Sequence, residues 1–276
     1  IDFPEPIAGA QMPVDKQPLK VQSPSPPVPP AEKIKQAAEI ISQAKNPIIM
    51  AGNGVIRNRA SKQLVQFAEQ LNIAVATTFM AKGVIPFSHK LSLGTVGLQA
   101  KDYVGCGFEK SDVIICIGFD MVEFHPHIWH KYKDKKIIHI DMSAAEVDEH
   151  YILEAGVIGD IKTGLDAIAK QAKPYIGGFN DELRETIVTE LNEHANDTGF
   201  PVKPQKIICD LRSVLNSEDV VVSDVGAHKM WMARMYQAEE PNTCIISNGF
   251  ASMGIGVPGA IAAKLVNPDA TALTVT

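Results

Sequence analysis

Apolar positions keep a clear period from residue 31 onward. Ile34, Ala37, Ala38 and Ile41 recur at helical spacing, and Pro47-Ile48-Ile49-Met50-Ala51-Gly52 follows as a short run that predicts a buried strand. A second helical face carries Ala60, Leu64, Phe67, Ala68 and Leu71, and the strand-like Ile73-Ala74-Val75-Ala76-Thr77 comes next. Further apolar runs stand at Val113-Ile114-Ile115-Cys116-Ile117-Gly118, Ile137-Ile138-His139-Ile140-Asp141 and Val157-Ile158-Gly159, and a last helix carries Ile161, Leu165, Ile168 and Ala172. Strands that are apolar throughout and alternate with helices predict a parallel sheet covered on both faces. Residues 31–173 are therefore expected to form a doubly wound parallel-sheet α/β domain.

The segments on either side differ. Residues 1–30 hold nine of the eighteen prolines and read as an extended, semi-rigid linker, with a PxxP ligand as the alternative. Residues 174–180, with Gly177-Gly178, read as a second linker. In 181–276, Leu183, Ile187 and Leu191 mark one helix, and Ile207, Ile208, Leu211, Val214 and Leu215 another. Strand candidates follow at Val220-Val221-Val222-Ser223-Asp224 and Cys244-Ile245-Ile246-Ser247, then a Gly-rich helix start and Ala272-Leu273-Thr274-Val275-Thr276. This predicts a second α/β unit that begins but does not finish. The chain opens at Ile1 without Met or signal peptide and stops at Thr276 inside a strand-like run, so both ends are expected to be cut.

Composition narrows the partners. The 276 residues carry a net charge of −6 and a pI near 5.8, so no basic footprint for nucleic acid or an anionic membrane is present. No apolar run approaches the roughly 20 residues of a membrane span. Cys106, Cys116, Cys209 and Cys244 lack any C-x-x-C spacing, which argues against a disulfide framework or thiolate metal site and for a reduced, cytoplasmic compartment. Cys116 and Cys244 in apolar runs, and Cys106 beside glycine, read as buried, inert thiols.

Gly254-Ile255-Gly256-Val257-Pro258-Gly259 matches G-x-G-x-x-G, between a predicted strand and a predicted helix. Pro258 inside the first helical turns, and the lack of an acidic strand end about 20 residues on, favour close helix–sheet packing over a dinucleotide site. His125, His127 and His130 lack the i, i+4 spacing of a helical zinc pair and read as a His-rich surface loop. Asp141, at a predicted strand end, suits either a ribose hydroxyl or a helix cap. No G-x-S-x-G elbow is present.

Taken together, these segments resemble the thiamine-diphosphate-dependent enzymes, specifically the acetolactate synthase branch. Ile1-Asp2-Phe3-Pro4 resembles the closing strand of that family's pyrimidine domain, and 31–173 its central domain, with Asn46-Pro47, Gly52-Asn53-Gly54 and Ile138-His139-Ile140-Asp141 in order. Residues 181–276 resemble the opening of its diphosphate-binding domain, through Asp224-Val225-Gly226-Ala227-His228-Lys229-Met230-Trp231 and Ser247-Asn248-Gly249-Phe250-Ala251-Ser252-Met253-Gly254. The resemblance implies that Ala227 and His228 approach the diphosphate and that Ala251 offers its carbonyl to the aminopyrimidine. It also implies that Met253 is wedged under a bent cofactor, a pose that brings the exocyclic amine to the thiazolium carbon.

The implied activity of the parent enzyme is condensation of two pyruvates to 2-acetolactate and CO₂ through a hydroxyethyl-thiamine-diphosphate intermediate. Thiamine diphosphate and Mg²⁺ are the implied cofactors, and a homodimer or homotetramer the implied assembly. The family's activating glutamate and its G-D-G…Asn metal motif have no counterpart in these residues, so the chain alone is expected to be inactive and to name no metal ligand. Gly118-Phe119-Asp120-Met121-Val122-Glu123 resembles the flavin-independent, catabolic members, and Gln99-Ala100-Lys101-Asp102 leans the same way, which argues against FAD. The alternatives are another 2-oxoacid decarboxylase or carboligase of the superfamily and, in a different class, a non-catalytic nucleotide-binding α/β module.

Overall fold

The structure is a computed structural model and describes residues 4–17, 20, 25–97, 103–193 and 195–276. Ile1-Asp2-Phe3 and Gln99-Ala100-Lys101-Asp102, on which two of the expectations rest, lie outside the described residues. The first element among the described residues is a four-residue helix α1 (Glu5–Ala8), and α2 (Ala31–Gln43) leads into β1 (Pro47–Ala51). Next come α3 (Asn53–Arg57), α4 (Ser61–Leu71), β2 (Val75–Thr77) and β3 (Ser92–Thr95). They are followed by α5 (Tyr103–Lys110), β4 (Val113–Ile117), α6 (Pro126–Trp129), β5 (Lys136–Asp141), β6 (Ala155–Ile158) and α7 (Ile161–Ala169).

These strands form one sheet in the order β3-β2-β1-β4-β5-β6, parallel throughout. The fold is α/β, as the alternation of apolar runs predicts. Register explains the two-sided burial: Ile49 pairs with Ile115, and Met50 with Cys116, which pairs in turn with His139. Ile49, Ile115, Ile138 and Ile140 pack under α2, α4 and α7, while Ile48, Met50, Ile114 and Cys116 pack on the opposite face with Phe108, Trp129 and Tyr151. Sequence direction reverses between β1 and β4, which makes their carboxyl ends the switch point of the sheet, where α/β folds place ligands. Gly118 ends β4 there with a φ of +59°, and a Cβ would run into the Val55 amide, so only glycine lets the two turns meet this closely.

The second unit holds α8 (Phe179–Asn192), α9 (Pro204–Val214), β7 (Val220–Ser223), α10 (Ala227–Met235), β8 (Cys244–Ile246), α11 (Gly256–Val266) and β9 (Ala272–Val275). Its three strands are parallel, in the order β8-β7-β9. The face predicted for α9 is only partly turned inward: Ile208 is buried, whereas Ile207 and Val214 are exposed. The two units share one apolar cluster, which includes Val221, Met232 and Tyr236 from the second and Leu93, Val104 and Phe108 from the first. Polar ties cross the same boundary. Lys82 Nζ, which also donates to Thr95 Oγ1 within the first unit at 3.1 Å, donates across the boundary to the Ala233 carbonyl at 2.8 Å, and Arg184 donates to the carbonyls of Ser92 and Phe87 at 2.7 and 2.5 Å.

Among the described residues, no helix is long and apolar enough to cross a membrane. Two sequence expectations need correction. Cys106 is exposed, because α5 turns Val104, Gly107 and Phe108 inward and leaves Cys106 on its outer side. The His-rich stretch is also not simply a surface loop. It forms α6, capped by His125, and His130 is buried, its ring contacting the His150 carbonyl at 2.7 Å and accepting the Lys135 amide at 3.1 Å.

Candidate functional site

At the carboxyl ends of β7 and β8 the chain makes two turns that carry the four residues singled out in the sequence. Ala227 and His228 open α10, whose N-cap Gly226 offers no side chain to the first-turn amides. Those amides and the helix dipole suit a negatively charged group. Ala251 and Met253 lie on the loop from β8 to α11. That loop is folded through three left-handed residues, Gly249, Ala251 and Gly254, with φ of 79°, 46° and 94°. For Ala251 this conformation is strained, since Cβ crowds the following carbonyl. Met253 is 81% exposed and Phe250 fully so, an unusual pair of large apolar side chains on one loop.

Asp224, just past β7, joins the two turns. Its carboxylate accepts the amides of Val225, Gly254 and Gly256 at 2.6, 2.8 and 3.0 Å, and these bonds, Val225 first, hold it below the usual carboxylate range. The bonds from Gly254 and Gly256 anchor the start of α11. Gly259 then faces Val222, where a Cβ would lie 2.9 Å from a valine methyl. The G-x-G-x-x-G run therefore serves a turn and close helix–sheet packing, as expected from its sequence context, and Pro258 sits in the first turn of α11, where no amide partner is needed. On the other turn, His228 Nε2 is buried without a hydrogen-bond partner.

A cavity of about 650 Å³ opens beside this loop, at the switch point of the first sheet. Asn53 and Arg57, the loop after β4, Asp141 and Asn248–Phe250 line it. Glu123 is among its lining residues. The carboxylate accepts Thr78 Oγ1 at 2.5 Å and the Asn53 amide at 3.1 Å, and burial pushes its pKa up against both bonds. Glu123 thus occupies the first amide of α3, the place where a phosphate would seek its donors. Asp141 accepts the Ser143 amide at 3.2 Å, in a turn rather than a helix cap, and burial raises its pKa as well. Sequence reasoning missed Glu123 as a site residue; its only signal was a carboxylate shortly after an apolar strand end. Among the described residues, no group of three or more His, Cys, Asp or Glu side chains is placed to hold a metal ion.

Residues 34–168 match the family described as "Thiamine pyrophosphate enzyme, central domain", and residues 224–276 match "Thiamine pyrophosphate enzyme, C-terminal TPP binding domain". The chain carries thiamine pyrophosphate enzyme domains. Relatives agree across its length. The probable acetolactate synthase large subunit of Methanococcus aeolicus is 32% identical over 303 residues, covering 100% of this chain and 50% of that protein. The corresponding protein of Methanocaldococcus jannaschii is 32% identical over 300 residues, 100% of this chain and 49% of its own length. The acetolactate synthase large subunit of Corynebacterium glutamicum is 31% identical over 255 residues, 87% and 40% respectively. The chain spans about half the length of the first two relatives. Its C-terminal domain implies thiamine diphosphate, and the orphaned His228 Nε2 and the left-handed loop fit that group.

Proposed function

We propose that the protein to which these domains belong is an acetolactate synthase that condenses two pyruvates to 2-acetolactate and CO₂. The observation that carries this reading is the alignment of the whole chain with acetolactate synthase large subunits. The β8–α11 loop, which keeps Met253 in water beside a strained Ala251, supports it further.

When bound, thiamine diphosphate would supply a nucleophilic carbon and an electron sink for decarboxylation of a 2-oxo acid. The protein's part is positioning. In this proposal the first-turn amides at Ala227 and His228 would hold the diphosphate, the Ala251 carbonyl would accept from the aminopyrimidine, and Met253 would pack against the cofactor's rings. The left-handed turn at Ala251 fixes the direction of that carbonyl. No acidic cluster among the described residues takes the accompanying Mg²⁺, and no step is routed through it. The reading extends to a homodimer or homotetramer in the cytoplasm, without nucleic-acid or membrane partners.

The test is an assay of the protein at the length its gene encodes, with pyruvate, thiamine diphosphate and Mg²⁺. Acetolactate is the expected product. Acetaldehyde without acetolactate would overturn the reading in favour of a decarboxylase.

A further inference from the structure

The two turns of the candidate site are tied to each other and to the first unit by a closed ring of contacts. Asn248, which precedes Ala251 and Met253, accepts the Lys229 ammonium on Oδ1 at 3.0 Å and donates from Nδ2 to the Glu123 carbonyl at 3.2 Å. Lys229 directly follows Ala227 and His228 in the first turn of α10, is 8% exposed, and lies 5.4 Å from the centre of the Phe79 ring. Glu123 in turn accepts the hydroxyl of Thr78, the neighbour of Phe79, at 2.5 Å. The ring runs Asn248, Glu123, Thr78, Phe79, Lys229 and back to Asn248.

We infer that Asn248 is a positioning residue that sets the distance between the α10 turn and the β8–α11 loop by reading an ammonium on one side and a backbone carbonyl on the other. A carboxamide suits this place because it presents an acceptor and a donor at once. A carboxylate would serve Lys229 but repel the Glu123 carbonyl, and an apolar side chain would leave a nearly buried ammonium unpaired. The ring closes on groups held in the core: Phe79 is buried, and Glu123 is also bonded by the Asn53 amide. A shift at Asn248 therefore moves the loop rather than its partners. This inference rests on the proposed thiamine diphosphate site, where Ala227 and His228 stand on one side of the cofactor and Ala251 and Met253 on the other.

The test compares wild type with Asn248→Leu, Asn248→Asp and Lys229→Met, all at the encoded length of the protein. Two quantities are read: amide hydrogen exchange of residues 248–256 without cofactor, and thiamine diphosphate affinity by calorimetric titration. Asn248→Leu should speed loop exchange and weaken affinity about tenfold, the loss expected for two modest hydrogen bonds. Asn248→Asp should fall between it and wild type, and the double variant with Lys229→Met should be no worse than Asn248→Leu alone. Affinity within twofold of wild type overturns the inference, even if the loop exchanges faster, because Asn248 would then be structural only. If Asn248→Leu fails to fold, Asn248→Asp and Lys229→Met carry the same comparison. Wild type that binds no thiamine diphosphate overturns the proposed function instead, and unchanged loop exchange in every variant overturns the ring itself.

Discussion

Asp224 Oδ2 accepts the amide of Gly256 at 3.0 Å, so a carboxylate at the end of one strand caps the helix that packs on the same sheet. With the amides of Gly254 and Val225 also bound, the carboxyl's pKa lies below its usual value. A depressed carboxylate contributes stability that is present above the unfolded pKa of about 3.9 and is lost as pH falls through the folded one. Asn in place of Asp keeps the shape but removes the charge. Asp224→Asn is therefore expected to lower the urea midpoint at pH 7, with the gap to wild type narrowing at pH 3. An equal gap at both pH values would sink this account.

Ala251 sits at a φ of 46°, where a Cβ is crowded and glycine is not. Ala251→Gly should raise stability by up to about 1 kcal/mol, after allowing for the greater freedom glycine has in the unfolded chain. Ala251→Val should lower it. Thermal unfolding of the two variants gives the order, and the reverse order would mean that the loop is not left-handed in solution.

Lys82 bridges the two units from a fully buried position, and burial pulls its pKa down to about 8. Unfolded, a lysine titrates near 10.4. Below pH 8 both states carry the proton and the cost of burying the charge is complete. Between pH 8 and 10.4 the folded state holds fewer protons, so this cost is relieved as pH rises. Cys116, Cys244 and Tyr236, pushed by burial up to about 12, 11 and 12, act in the opposite direction, because the unfolded chain loses their protons first. The difference between wild type and Lys82→Met isolates the lysine. Across this window wild type should gain on the variant by about 3 kcal/mol. Parallel stability curves from pH 7 to 10 would rule the effect out.

The thiols should divide by exposure. Cys106 lies exposed on the outer side of α5, while Cys116 and Cys244 are buried and their thiols hold protons well above neutral pH. Burial also raises Cys209. Under native conditions a thiol reagent should modify one cysteine rapidly, and Cys106→Ser should abolish that phase. All four cysteines should react once the chain is denatured. A fast phase that survives Cys106→Ser would place an exposed thiol elsewhere.

Much of the architecture was readable from hydrophobic spacing. The runs 48–51, 113–117 and 137–140 became β1, β4 and β5, three of the four interior strands, because a strand covered on both faces is apolar at nearly every position. β3, Ser-Leu-Gly-Thr at the sheet edge, gave no such signal, since an edge strand tolerates polar and flexible residues. Cys106 was misread for a related reason: a neighbouring glycine says nothing about which side of a helix turns inward.

The four proposed site residues could be singled out only through motifs matched over many positions, because a lone methionine or alanine carries no chemistry of its own. What the sequence alone determined was the order of elements, the parallel sheet and the role of the glycines between Gly254 and Gly259 in turn and packing. Tertiary structure decided the rest. Lys229 and Asn248 are 19 positions apart, and Asn248 and Glu123 are 125 apart. No local periodicity links such residues; they meet because the second unit packs onto the first and holds the loop of Ala251 and Met253 beside the switch point of the first sheet.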